Sequence, residues 1–262
     1  MALVEYCKGI LQHKYILSSL VSRDLISKYR KSKLGVLWSI LTPLGLVLIV
    51  GAVYSIIFGA DPKEFIPSLF AGLNPWLFMS GTADAATFAF IAAEGYIKQS
   101  TVAAQVFPLR TTLVNFFNLL YSILAFFCIY LFLQPDNFGP KMLLCIPGLI
   151  IMFLFTLGLA NITSIVTLYL RDFQPLQSLV FQGLFYATPI IFPASMLAEK
   201  GFAIIYQINP FYYMLEVVRT PMLGVALPSI TTYIVAITMA TVAFLTGIGV
   251  MMKNKSTVVF KL

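Results

Sequence analysis

Few residues in this sequence could perform covalent chemistry. The only histidine, His13, lies in a basic N-terminal segment, so neither a buried Ser-His pair nor a His-rich metal site can form. Cys7, Cys128 and Cys145 are odd in number and the last two lie in apolar stretches, which argues against a disulfide framework or a C-x-x-C metal pair. A G-x-x-x-x-G-K-[ST] phosphate-binding loop does not occur. We therefore predict a protein that is not an enzyme and holds no metal or cofactor, so that a partner subunit would bind any ATP and Mg²⁺.

One carboxylate, Asp84, lies well inside an apolar stretch. An uncompensated charge at depth in a membrane costs at least about 2.5 kcal/mol, so we expect Asp84 to face protein or water. It would be either a polar group of a channel wall or subunit contact, or a hydrogen-bonded or protonated structural residue. An intramembrane acyl or glycosyl transferase would need histidine, paired carboxylates or a metal site at the same depth, which disfavours that alternative.

The composition is that of a membrane protein. Of the 262 residues, 60 % are hydrophobic and 10 % are charged, against about 25 % charged in soluble domains, and the mean hydropathy is +0.91. A transmembrane helix needs roughly 20 apolar residues. Six stretches within residues 34–262 meet this need and predict an all-α membrane protein with six transmembrane helices: Leu34–Ala60, Phe65–Ala93, Thr111–Gln134, Met142–Leu170, a fifth beginning near Phe173, and one within Ser229–Met252.

The basic residues indicate how these helices are oriented. With six crossings, thirteen Lys and Arg residues lie on the side of the two termini and four lie on the other side. Cytoplasmic loops carry the excess of Lys and Arg, so we predict that both termini are cytoplasmic. The net charge of +7 then reflects topology and not nucleic-acid binding. The basic first 33 residues contain no short apolar core ending in a cleavage site, so no cleavable signal is expected.

Residues 1–33 are predicted to form an amphipathic interfacial helix before the first span. Ile10, Leu17, Val21 and Leu25 fall on one of its faces, and the basic residues follow another line. Two interpretations account for the charges equally well. The helix is either a basic anchor held by anionic lipid headgroups or a docking surface for a cytoplasmic protein.

Residues 193–224, between spans five and six, contain two apolar runs that are too short to cross a membrane. The runs meet at Asn209-Pro210, which is a turn signal. We predict short re-entrant helices that enter the outer face and return, forming an outer-gate hairpin. An ordinary outer loop lying on the bilayer is the alternative.

Several short motifs occur in a specific order along the chain. Residues 22–44 read SRDLISKYRKSKLGVLWSILTPL, Leu170–Phe173 reads LRDF between spans four and five, and Asn209–Phe211 reads NPF before the last span. In this order and spacing, the sequence resembles the permease subunits of ABC-type polysaccharide exporters: those for lipid-linked O-antigen and, more distantly, those for capsule and teichoic acid. The resemblance covers nearly the whole chain.

The resemblance implies a homodimer in the bacterial inner membrane, with a continuous channel along the dimer axis and two copies of a separate cytoplasmic ABC ATPase bound beneath it. It places the ATPase contacts near residues 23–33 and 94–110, and a plain connector is the alternative for the second segment. The residues expected to contact the ATPase are Arg23, Lys28, Arg30, Lys31, Glu94, Lys98 and Gln99.

Aromatic residues make up 15 % of the chain. Sugar rings rest their C–H faces on aromatic planes, and sugar hydroxyls need hydrogen-bond partners or water, so a glycan channel favours a wall that is aromatic and wet. Lipid-facing and interfacial positions are the alternative for each aromatic residue. We predict a channel wall made of Tyr54, Phe58, Trp76, Phe78, Asp84, Phe117, Tyr121, Phe185 and Tyr186, and an outer gate made of Asn209, Pro210, Phe211 and Tyr212.

Taken together, these features predict a channel-forming permease that exports a lipid-linked polysaccharide, O-antigen, driven by ATP hydrolysis in its partner. The expected partners are a second copy of the chain, the ATPase, the glycan and membrane lipid, with no nucleic acid. Two alternatives stay open: a drug or lipid exporter of the same architecture, and a passive channel that works without an ATPase.

Overall fold

The computed structural model describes residues 2–27 and 32–261, and every regular element in these residues is helical. This confirms the predicted all-α class. The α-helices are α1 (Ala2–Gln12), α2 (Lys14–Ser27), α3 (Trp38–Phe58), α4 (Pro62–Thr87), α5 (Glu94–Gln99), α6 (Val106–Leu133), α7 (Cys145–Tyr169), α8 (Phe173–Ala187), α9 (Ala194–Glu199), α10 (Ile204–Gln207), α11 (Pro210–Met222), α12 (Ile230–Asn254) and α13 (Thr257–Lys261). Short 3₁₀ helices occur at Gly35–Leu37, Ile91–Ala93, Pro135–Asn137 and Pro140–Leu144.

Four helical segments of the described chain are long and apolar enough to cross a membrane. They are α3, α6, α7 together with the 3₁₀ helix before it, and α12 with its C-terminal continuation. A fifth candidate combines α4 with residues 91–99, and its two parts are bent by 59°. The prediction of a multi-pass helical protein is therefore confirmed. Helix α8 has 15 residues and is about 22 Å long, less than the roughly 30 Å of a hydrocarbon core, so the six-span layout stays a prediction.

The connection between α3 and α4 shows why these helices end where they do. Gly59 adopts a left-handed backbone conformation, with φ at +62°, and its N–H donates to the Ile56 carbonyl oxygen. Asp61 then caps α4, because its carboxylate accepts a hydrogen bond from the Lys63 N–H at 2.9 Å. Pro62 occupies the first helical position, where no N–H is needed. The turn returns α4 along α3, and the two helices pack together.

Helices α7 and α12 pack along each other and run parallel. A Cβ atom at Gly158 would overlap the Ala243 carbonyl group, and one at Gly247 would overlap Gly158, so the two backbones approach closely. Further along both helices, the Tyr169 hydroxyl donates to the Asn254 side-chain oxygen at 2.7 Å. Helix α7 also packs against α4, α6 and α11, which makes it the helix around which the others assemble.

The N-terminal segment forms two helices where one was expected. The chain breaks at His13, whose Nδ1 bonds to the Gly9 carbonyl oxygen at 2.9 Å and occupies the acceptor that a continuing helix would use. The predicted apolar face is nevertheless confirmed, because its members are buried or half-buried against α6, α12 and the residues around α5: Ile10, Leu17, Val21 and Leu25.

Between α8 and α12 lie three short helices. Helices α10 and α11 correspond to the two predicted apolar runs on either side of Asn209, and α9 precedes them. Asn209 caps α11, since its Oδ1 accepts the Phe211 N–H at 3.0 Å while its Nδ2 donates to the Thr188 hydroxyl at 2.7 Å. Helix α11 buries Met214 and Val218 and packs against α4, α7 and α12. The Asn-Pro turn therefore inserts α11 into the helical core.

Candidate functional site

The predicted channel wall and outer gate meet in one aromatic cluster. Trp76 of α4 packs against Phe181, Phe185 and Phe211, with ring centroids 6.3, 5.9 and 5.4 Å away. Phe155 of α7 contacts Phe211 on another side, at 5.4 Å. Trp76 is only 3 % exposed, so these rings belong to the interior of one protomer. Their tilted and edge-on contacts hold α8 and α11 in position against α4.

The other aromatic residues of the predicted wall lie at separate places. Tyr54 and Phe58 pack on each other near the end of α3, with ring centroids 5.8 Å apart, and Phe58 also contacts Phe65. Phe78 is buried against Phe116 of α6 at 5.6 Å. Three others remain accessible on the protomer surface: Phe117, Tyr121 and Tyr186. The structure thus separates a buried part of the predicted wall from an accessible part, and the role of these residues in a channel stays a prediction.

Asp84 is hydrogen-bonded to helix α8. Its Oδ1 accepts from the Gln177 side-chain amide at 2.9 Å and from the Ser178 hydroxyl at 3.2 Å. Gln174 donates to the same hydroxyl at 3.2 Å. Asp84 therefore faces protein, which is the environment expected of a carboxylate at this position. The bonds tie α4 to α8, and the oxygen of the Gln177 side-chain amide is buried with no hydrogen-bond partner among the described residues.

Sequence reasoning missed a polar network around Arg219 of α11. The Arg219 guanidinium donates to the Pro189 carbonyl oxygen at 2.9 Å and to the Ser68 hydroxyl at 3.0 Å. The Glu216 carboxylate lies 3.9 Å from the guanidinium and accepts from the Thr220 hydroxyl at 2.8 Å. The network joins α11 to α4 and to the segment after α8. The spacing of Glu216 and Arg219, three residues apart in an otherwise apolar helix, was the available signal.

The two segments expected to contact the ATPase form one surface. The Arg23 guanidinium of α2 donates to the Tyr96 hydroxyl of α5 at 3.2 Å and lies over the Tyr96 ring. Lys98 pairs with Glu94 one turn away on α5, and Gln99 is exposed. We call these five residues the α2–α5 surface. Three further residues expected at this contact lie outside the described residues: Lys28, Arg30 and Lys31.

This surface is tied to the transmembrane helices by a salt bridge. Arg110, near the start of α6, donates to both oxygens of Asp24 on α2, at 2.5 and 2.7 Å. Both side chains are largely shielded, with exposed fractions of 18 % and 26 %. Bidentate geometry of this kind restricts both the distance and the orientation of the partners. The salt bridge therefore holds α2 against the start of α6.

Helix α1 makes a second connection to the core. The Tyr6 hydroxyl lies next to the Asn161 amide of α7, which donates to it at 3.2 Å, and Gln105 donates to the Tyr6 backbone oxygen at 3.3 Å. Burial raises the pKa of Tyr6 to about 12, so the phenol stays protonated. Lys255, at the end of α12, is paired with Glu5. The N-terminal helix and the C-terminal end of α12 therefore lie at the same end of the bundle.

A polar groove between α3, α4 and α6 was also missed. It has a volume of about 520 Å³ and extends from Ser32 to the middle of α4 and α6. The spacing of Asn115, Asn118 and Ser122 along one face of α6 was the available signal, because three uncharged polar residues rarely share a face of an apolar span. The groove is lined by Ser32, Trp38, Ser39, Thr42, Pro43, Asn74, Leu77, Phe78, Asn115, Asn118, Leu119 and Ser122.

Comparison with known proteins decides the family. A sequence profile of the ABC-2 type transporter family matches residues 15–223 of the chain. The chain belongs to this family. It is similar to the O-antigen export system permease protein RfbA of Klebsiella pneumoniae, with 29 % identity over 201 residues, which are 76 % of this chain and 77 % of that protein. The RfbA protein of Myxococcus xanthus is 25 % identical over 210 residues, which are 79 % and 80 % of the two chains.

The family membership confirms the resemblance found in the sequence motifs. The matched residues begin in α2 and end just after α11, so they include the α2–α5 surface, the aromatic cluster and the polar groove. The protein is thus the permease type of subunit, a multi-pass membrane component similar to O-antigen export permeases.

Proposed function

We propose that this ABC-2 permease is the membrane subunit of an exporter that moves a lipid-linked polysaccharide of the O-antigen type across the bacterial inner membrane. The observation that carries the proposal is the similarity to O-antigen export permeases, which extends over about three quarters of the chain. A partner ATPase binds ATP and Mg²⁺ and supplies the energy, and the permease itself performs no covalent chemistry.

Six crossings with both termini in the cytoplasm belong to this proposal. Helices α7 and α12 run parallel, so the chain between them returns across the bundle before α12 begins. Helix α8 and the bent segment 188–193 that follows it supply this return. The pairing of Glu5 with Lys255 supports an even number of crossings, because it brings both ends of the chain together.

The transport path lies between two copies of the chain. The rings of the buried aromatic cluster pack against each other, so the cluster itself is not a path for a glycan, whereas α3 and α8 expose long apolar faces that a second copy would cover, with Ile49, Val53, Leu179 and Val180 among the residues concerned. Accessible aromatic residues such as Tyr186, which is 67 % exposed, would present rings and hydroxyls to sugar units. The predicted outer gate, Asn209 to Tyr212, would close the path on the outer side.

Rigid contacts would transmit the movement of the ATPase to the helices that line the transport path. Two ATPase subunits that approach each other would move the α2–α5 surface, and the salt bridge between Asp24 and Arg110 would carry that movement to α6. The hydrogen bonds between Tyr6 and Asn161 would carry it to α7. Two discrete arrangements of these helices then alternate as the ATPase binds and hydrolyses ATP.

A reconstituted exporter tests the proposal. The permease and its ATPase are placed in vesicles loaded with fluorescently labelled lipid-linked glycan, and the glycan that reaches the opposite leaflet is measured by enzymatic release. We expect transport that requires ATP and stops when the catalytic glutamate of the ATPase is replaced by glutamine. Transport without the ATPase would support a passive channel, and transport of lipid or dye without glycan would support the alternative exporter; either result contradicts the proposal.

A further inference from the structure

The polar groove has the chemistry of a binding site for an uncharged, hydroxyl-bearing group. Three asparagine amides and four hydroxyl groups line it, together with the rings of Trp38 and Phe78, and none of the lining residues that the structure describes is charged. Amides donate and accept hydrogen bonds at once, as paired hydroxyls of a sugar require. The volume of about 520 Å³ lies in the range of small-molecule sites, roughly 300 to 1,000 Å³.

Two polar side chains in the groove, those of Ser122 and Asn115, have no hydrogen-bond partner among the described residues. Ser122 is only 3 % exposed, and its hydroxyl oxygen is buried without a hydrogen bond to any described residue. The Asn115 amide, which is half-buried, also makes no hydrogen bond within the described part of the chain. Buried polar groups are almost always satisfied, and an unsatisfied one costs about 1–3 kcal/mol. These atoms therefore indicate a ligand that supplies the missing bonds.

Two other asparagines of the groove, Asn118 and Asn74, are held in fixed positions. The Asn118 amide oxygen accepts from the Ser39 hydroxyl at 3.0 Å while its nitrogen donates to the Val114 carbonyl oxygen at 2.8 Å. Asn74, which is buried, donates to the Phe70 carbonyl oxygen at 3.2 Å. Such bonds lock the rotamers of the lining residues before a ligand arrives, which lowers the entropy lost on binding.

We propose that the polar groove binds an uncharged, hydroxyl-rich head group, such as a sugar unit of the transported glycan or of a glycolipid. The inference rests on the proposed function for the identity of the glycan. A phosphate group is disfavoured, because no Lys, Arg or His of residues 2–27 or 32–261 lines the groove to pair with it. A lipid acyl chain is disfavoured as well, because it would leave the Ser122 hydroxyl and the Asn115 amide unbonded.

Trp38 provides a direct probe of binding. The chain contains two tryptophans, and Trp76→Phe leaves Trp38 as the single fluorescent reporter in the groove. The permease with its ATPase, in lipid nanodiscs, is titrated with maltose, with octyl maltoside and with octyl phosphocholine. We expect a saturable change in emission with octyl maltoside and none with octyl phosphocholine. Saturation by maltose alone would assign the site to a free sugar unit, and a response to octyl maltoside only would assign it to a glycolipid head. Equal responses to both detergents, or no response, would overturn the proposal.

Two substitutions sharpen the test. Ser122→Ala and Asn115→Leu each remove a group that bonds only to the ligand, so we expect a loss of affinity for octyl maltoside of about five- to tenfold, as one hydrogen bond of about 1 kcal/mol allows. The melting temperature of the complex should not fall. Ser55→Ala is the matched control, since this buried hydroxyl of α3 lies outside the groove and bonds to the Ala52 carbonyl oxygen. Unchanged affinity in Ser122→Ala, or an equal loss in Ser55→Ala, would contradict the inference.

The inference and the proposed function fail in different experiments. Binding of octyl maltoside by both Ser122→Ala and Asn115→Leu with the affinity of the unchanged protein would refute the proposed sugar site in the groove and leave the proposed function intact. Binding of octyl maltoside by a protein that transports no glycan would refute the proposed function and leave the groove intact.

Discussion

At the scale of single residues, the strongest polar contacts are those through which a partner subunit would move the helices. The Asp24 carboxylate and the Arg110 guanidinium are bonded twice and are largely shielded, whereas the pair of Glu94 and Lys98 is about half-exposed on α5. Charge-assisted bonds that are shielded from water stabilise more than exposed ion pairs, which contribute about 0–1 kcal/mol. The first pair therefore holds α2 in place, and the second adds little to stability.

We expect Asp24→Asn to loosen α2 from α6. The neutral amide replaces the carboxylate and leaves the Arg110 guanidinium without its counter-charge, at a cost of about 1–3 kcal/mol. Hydrogen exchange of the α2 amides should then be faster by about five- to hundredfold, since each 1.4 kcal/mol is tenfold in population. Glu94→Gln is the control and should leave the exchange of α2 unchanged. Equal protection of α2 in Asp24→Asn and the unchanged protein would contradict this role.

At the scale of elements, close backbone contact and buried polar bonds position the helices. Gly158 and Gly247 allow α7 and α12 to approach until their backbones touch, and Asp84 holds α8 against α4. In lipid, helices gain little from burying apolar surface against each other, so packing of small residues and interhelical hydrogen bonds decide their arrangement. These contacts are therefore the most sensitive to substitution.

Gly158→Ala should destabilise the bundle. The added methyl group overlaps the Ala243 carbonyl group, which cannot move away without shifting the backbone of α12, so we expect a loss of about 1–3 kcal/mol in the free energy of unfolding. A lower melting temperature in detergent would show it. Gly249→Ala on α12 is the matched control, because a Cβ there meets open space. A normal melting temperature in Gly158→Ala would mean that the two helices pack less closely than described.

Substitutions of Asp84 separate its two possible roles. In Asp84→Asn, an amide oxygen can still accept from Gln177 and Ser178, so the melting temperature should change little. In Asp84→Leu, both donors lose their acceptor, and stability should fall by about 1–3 kcal/mol. The export rate of the stable Asp84→Asn variant then distinguishes a channel role from a structural one. Equal melting temperatures in Asp84→Leu and the unchanged protein would exclude the structural role.

At the scale of the whole molecule, the α2–α5 surface is where a partner ATPase would bind the permease. Its residues come from segments far apart in the sequence, and it connects through α2 to α6 and through α1 to α7. A single rigid surface of this kind is able to deliver one movement to several spans at once. Substitutions on this surface should therefore weaken binding of the ATPase without affecting the insertion of the permease into the membrane.

We expect Arg23→Glu combined with Lys98→Glu to weaken binding of the ATPase without affecting membrane insertion. Both residues are exposed, so reversing their charge places no new charge in the core, and it changes the sign of the surface that the ATPase contacts. Co-purification of the tagged permease with the ATPase measures the effect. Lys141→Glu is the matched control, because this exposed lysine lies at the other end of α6 and α7. Undiminished co-purification of the double variant would contradict the docking role.

Local hydropathy determined the parts of this protein that the sequence alone could predict. Long uncharged runs produced α3, α6, α7 and α12 close to the expected bounds, because a helix in lipid satisfies its own backbone bonds and needs only apolar side chains. The ordered motifs around Arg23, Arg171 and Asn209 likewise indicated the family, which the profile match confirms. Both signals are read along the chain and require no knowledge of which helices touch.

Only the tertiary structure decided which polar side chains meet. Asp24 and Arg110, Tyr6 and Asn161, and Asp84 and Gln177 are distant in sequence, and their pairing depends on how each helix is rotated about its axis. Helix α8 illustrates the same limit, because its length falls below that of a span and only its contacts with α4 and α7 show where it lies. The polar groove exists only where faces of three helices converge. Hydropathy determines that a helix lies in the membrane, but side-chain packing determines which face it presents to its neighbours.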